Sequence, residues 1–175
     1  MKKWTLCLLL LALPLMLAAC ACNNTAATPL TGTMEENVTK LMETNPAEFM
    51  GGLMPIDLKD TSEEGLWSLK NYTGLDSADK ITDVAAYEPM TGSQAFSLVM
   101  VRVKNAGEAR QVAQQMKDNI NPRKWICAGA DQVMAAGHGD TVMFIMVDSA
   151  LGKTAQSYVD AFRNLCGGQL DFTIG

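Results

Sequence analysis

Between Ala95 and Lys104 apolar residues recur with a period of two. Phe96, Leu98, Met100 and Arg102 fall on one side and Val99, Val101 and Val103 on the other, which predicts a strand. Asp83 to Glu88 predicts another, stopped by Pro89. After Asn105 the period lengthens. Ala109, Val112, Ala113, Met116 and Ile120 share one face of a helix capped by Asn105, with Glu108 completing the box and Pro122 closing it. A strand from Gln132 to Ala136, a turn Gly137-His138-Gly139-Asp140 and a strand from Thr141 to Asp148 then read as a hairpin. A last helix follows from about Ala150 to Cys166, with Ala155, Tyr158, Val159, Phe162 and Leu165 on its stripe and Gly167 just past its end. Alternation of Leu170, Phe172 and Ile174 predicts a short edge strand.

Upstream, Thr33 and Glu36 form a capping-box pattern before Val38, Leu41 and Met42, and Asn45-Pro46 ends that helix. Residues 46–60 read as irregular. Thr61 and Glu64 open a second helix that carries Leu66, Trp67 and Leu69 and stops near Gly74. From residue 83 the order ββαββα predicts an α+β fold, a two-layer sandwich whose four-stranded, mainly antiparallel sheet bears two helices on one face. The helices before residue 75 are expected at its side or against its other face.

The first residues follow a different logic. Lys2 and Lys3 precede a run from Trp4 to Leu17 that is apolar apart from Thr5, too short for a comfortable membrane span. It ends in Leu17-Ala18-Ala19-Cys20, and here the chain resembles bacterial lipoproteins. The resemblance implies a diacylglycerol on Cys20, cleavage before it, and anchoring to the extracytoplasmic face of the cell membrane. Each buried acyl methylene contributes about 0.8 kcal/mol, so two or three chains anchor durably. The other readings are a secretory signal in which Cys20 is incidental, an uncleaved helix, or Cys22 as acceptor. The expected organisation is a signal peptide over 1–19, a flexible tether over 20–33, poor in anything to bury, and one domain over 34–175.

Segment 1–19 holds two basic residues and no acid, so the other 156 residues carry 12 basic and 19 acidic side chains, a net charge of −7. That balance argues against nucleic acid as a partner.

Candidate chemistry is sparse. Cys127 and Cys166 could pair in an oxidising compartment or remain buried free thiols. His138, the only histidine, is expected at an exposed loop tip with Asp140 beside it, too few ligands for a metal, and no cofactor is implied. Glu35-Glu36 and Glu63-Glu64 complement helix N-termini. Gly152-Lys153-Thr154 lacks the upstream glycine of a phosphate loop, since position 147 is valine. The methionines fit apolar stripes better than a copper site. Arg123, Lys124 and Trp125, with His138, are the candidate binding surface for an envelope protein or a glycan; the alternative is a connection with Trp125 tucked into the core.

The runs Leu66-Trp67-Ser68-Leu69-Lys70-Asn71-Tyr72-Thr73-Gly74-Leu75, Val84-Ala85-Ala86-Tyr87 and Asp140-Thr141-Val142-Met143-Phe144-Ile145 carry a second resemblance. With the strand and capped helix between them they are similar, over roughly residues 35–166, to a family of small Gram-positive lipoproteins catalogued as a domain of unknown function. That implies a membrane lipoprotein and supplies no activity. The expected role is a non-enzymatic binding or accessory module of the cell envelope. Its rivals are a hydrolase-type enzyme using His138, Asp140 and Asp131, and a small-solute receptor.

Overall fold

The computed structural model describes residues 29–175. The expected signal peptide, the expected lipid acceptor Cys20 with its alternative Cys22, and most of the expected tether lie outside the described residues. The chain order is α1 (Met34–Thr44), β1 (Gly51–Met54), α2 (Glu63–Thr73), β2 (Ile81–Pro89), β3 (Phe96–Val103), α3 (Ala109–Asn119), β4 (Gln132–His138), β5 (Thr141–Val147), α4 (Ala155–Leu165) and β6 (Phe172–Ile174). The fold is α+β, with one open antiparallel sheet in the order β1-β2-β3-β5-β4-β6. The expected four-stranded sheet in ββαββα order is therefore corrected to six strands and four helices among the described residues. The expectation omitted β1, whose Gly-Gly start carries no alternating signal. Its count of four did not include the short edge strand expected at Leu170 to Ile174, which is β6 on the edge of β4.

The layering differs too. Helices α3 and α4 cover opposite faces rather than one. Val99, Val101 and Val103 of β3 pack with Val112, Ala113 and Met116 of α3 and Leu69 of α2. Phe96, Leu98 and Met100 of the same strand pack with Val38 and Leu41 of α1 and Val159 and Phe162 of α4. The cause lies in the central strands: every residue of β5 is buried, and so is all of β3 but Arg102. Strands apolar on both sides require cover on both sides. Among the described residues no helix is long and apolar enough to cross a membrane.

The predicted caps are partly right. Thr33 and Glu36 form the reciprocal box on α1. Ser62, not Thr61, caps α2, and Asn105 caps a 3-10 turn at Ala106–Glu108 that leads into α3, without a side-chain bond from Glu108. Thr154 caps α4, because Ser149–Leu151 is a separate 3-10 turn capped by Asp148.

The sheet has two ends. At the turn end, β4 and β5 meet through Gly139 and Asp140, with Gly139 at φ 58°, the sign and position a type II′ turn requires. The chain also enters the fold here. Arg102 donates to the Leu30 and Gly32 carbonyls at 2.6 and 3.0 Å and faces Asp140, Nε to Oδ2 3.4 Å. Asp83 accepts the Met34 N–H at 2.9 Å, which fixes the start of α1. At the loop end lie the β2–β3 connection and residues 121–131, where Ile126 approaches Gly92. Along the eight residues of β3 the two ends are about 25 Å apart.

Candidate functional site

The strand ends separate the residues of the hydrolase reading. His138 is the last residue of β4 and only 6% exposed, so it does not sit at a loop tip; the two-residue turn begins after it. Side-chain alternation sets it on the α1/α4 face, since Ala136 packs there. Asp140 is engaged by Arg102 and by the Thr141 hydroxyl at 3.0 Å. Asp131 lies at the opposite end of β4, where it accepts from the Ser149 N–H at 2.8 Å and hydroxyl at 2.6 Å. Seven strand residues keep Asp131 and His138 about 20 Å apart, so the three do not converge. Among the described residues no three His, Cys, Asp or Glu side chains gather as a metal site.

The thiols are apart as well. Cys127 is exposed at the loop end, and Cys166 caps α4 near Asp171 at the turn end; both are free. The disulfide alternative and the expectation that both thiols are buried are thereby corrected: α4 runs the length of the sheet and carries its cysteine to the far end. Burial first, and then the charge of Asp171, pushes the Cys166 thiol up to about 12. Alkylation of the folded protein is expected to modify Cys127 quickly and Cys166 only after denaturation, read by peptide mass spectrometry. Equal rates would show Cys166 to be accessible.

The proposed binding surface also divides. Its loop members lie at one end of the sheet and His138 at the other. Arg123 is exposed, but Lys124 turns inward. Its ammonium pairs with Glu88 of β2, donates to the Asn71 carbonyl at 3.0 Å, and lies 4.9 and 5.4 Å from the ring centroids of Tyr72 and Trp125. Burial pulls Lys124 below the usual lysine range, while the charge of Glu88 pulls the other way. Burial, then the same carboxylate, pushes the Tyr72 hydroxyl up. A lysine held this way is a structural cation, not a free anion receptor. Trp125 is half-buried and packs on the core, as the alternative reading had it.

What surrounds that pair was not expected. Ile126 is 91% exposed, Met50 82% and Met90 69%. Met90 and Met50 are joined by a backbone hydrogen bond, Met90 N–H to Met50 O at 3.1 Å, and the Ile126 side chain lies beside Gly92, two residues after Met90. Three bare apolar side chains thus stand at the loop end, on the connections that lead into β1, out of β2 and toward β4. In the sequence each stands beside a glycine, a proline or a cysteine and outside any periodic stripe, so no pattern singles it out. The hollow lined by Trp67, Lys70, Asn71, Asn119 and Asn121 is open to solvent, not an enclosed solute pocket. Comparison of the chain with family models, with curated proteins and with solved structures finds no match among any of the three.

Proposed function

We propose that this protein is lipid-anchored on the extracytoplasmic face of a membrane and holds a protein partner of the cell envelope at its loop end, without catalysing a reaction. The observation that carries the reading is the exposure of Met50, Met90 and Ile126 at one end of a sheet whose chain enters at the other. Apolar side chains gathered on a surface gain by burial against another protein, and a glycan would leave most of that gain unused. The anchor rests on the sequence Leu17-Ala18-Ala19-Cys20.

Replacing Cys20 with serine is expected to abolish fatty-acid labelling and move nearly all of the protein from the membrane to the soluble fraction. Unchanged partition would remove the anchor. A photoreactive residue at Ile126 should capture one defined protein in intact cells, and one at Lys40, an exposed position on α1, should not.

A further inference from the structure

We infer that the outer edge of β1 takes up an extended segment of the partner as an added strand, and that this segment is basic at its flanks and apolar at alternate positions. The inference rests on the partner-holding reading above and specifies how the partner is held.

Strand β1 is an edge, bonded only to β2 among the described strands. Bonded and non-bonded pairs alternate along an antiparallel ladder. The Met90-to-Met50 bond places Met50, Gly52 and Met54 in bonded pairs with Met90, Glu88 and Ala86. Gly51 and Leu53 then turn their N–H and C=O groups away from the sheet. Pro89 agrees with this register: it lies opposite Gly51, where β1 asks no N–H of it. Two donors and two acceptors are therefore aligned for one more strand, which is how extended peptides join open sheets.

The flanks state what that strand should look like. Leu53, 41% exposed, lies on one face of the edge, and Met50 with Met90 on the other, so apolar residues of the incoming strand meet apolar residues here. Glu48 stands three residues before β1 and Asp57 three after it. Asp57, Asp60 and Glu64 line one hollow with Pro55, and hydrogen bonds from Ser62 hold Asp60 below the usual carboxylate range. Across residues 48–64 only Lys59 opposes five exposed acids. Complementarity calls for lysine or arginine on the partner.

The test uses the full-length chain in detergent micelles and a seven-residue peptide of alternating valine and threonine between terminal lysines. Binding should slow amide exchange at Gly51 and Leu53. Leu53→Pro removes an outward donor and the leucine side chain but no donor that β2 uses, so it should weaken binding about tenfold with circular dichroism and melting unchanged. A peptide with terminal glutamates should bind more weakly. No protection at these two amides, or equal affinity for L53P, would overturn the inference. Self-association lost in L53P would make the occupant a second copy and overturn it too. Capture of a partner from Ile126 without β1 protection would remove the edge and keep the partner; a bound peptide without any capture in cells would remove the partner reading alone.

Discussion

Lys124→Ala is expected to destabilise the fold by about 3–5 kcal/mol, the cost of leaving a buried charge without its partner. The side chains of Lys124 and Glu88 are 6% and 10% exposed, and the ammonium contributes the ion pair, the bond to Asn71 and two ring contacts. Removing it strands the Glu88 carboxylate on the α2/α3 face, between Tyr72 and the core. The double replacement Lys124→Met with Glu88→Leu removes both charges and keeps most of the volume, so it should recover most of the loss. Urea unfolding followed by tryptophan fluorescence and circular dichroism checks both, and a K124A chain within about 1 kcal/mol of the parent would show that water reaches the carboxylate.

Phe96→Ala should cost about 3–5 kcal/mol for a different reason. Phe96 is fully buried where three elements converge, in edge-on contact with Phe49 at 5.0 Å, Tyr158 at 5.1 Å and Tyr87 at 6.4 Å between centroids. Each such pair adds about 0.5–1.5 kcal/mol beyond the area it hides. Trp67→Ala is the matched control: that larger ring is 65% exposed, and its loss should change stability by no more than about 0.5 kcal/mol. Equal midpoints for the two variants would show that the aromatic cluster does not hold the α1/α4 layer.

Local periodicity made the central elements legible. The two-residue period of β3, the helical stripe of α3 and the box of Thr33 with Glu36 are each decided within a dozen residues, and the structure has them. Which face a helix covers is not a local property. The stripes of α3 and α4 look alike, and only the two apolar sides of β3 and β5 hint that cover is needed twice. β1 escaped because Gly51 and Gly52 have no side chains to alternate. At the candidate site, the basic-aromatic loop was visible, but the partner that draws Lys124 inward, Glu88, is 36 residues away in sequence. The exposed trio Met50, Met90 and Ile126 is assembled from three connections, which no window along the chain can join.

The way Arg102 holds Leu30 and Gly32 has a mechanical consequence. Tension on the chain before Leu30 enters the sheet through that guanidinium at one end of β3, while a strand gripped at β1 would pull from the other end, two strands away. The opposing forces then run along the strands, not across them. Every hydrogen bond of the β1–β2 and β2–β3 ladders would share the load at once, where a pull at right angles would open them one by one. A pull between these two ends would load both ladders in shear.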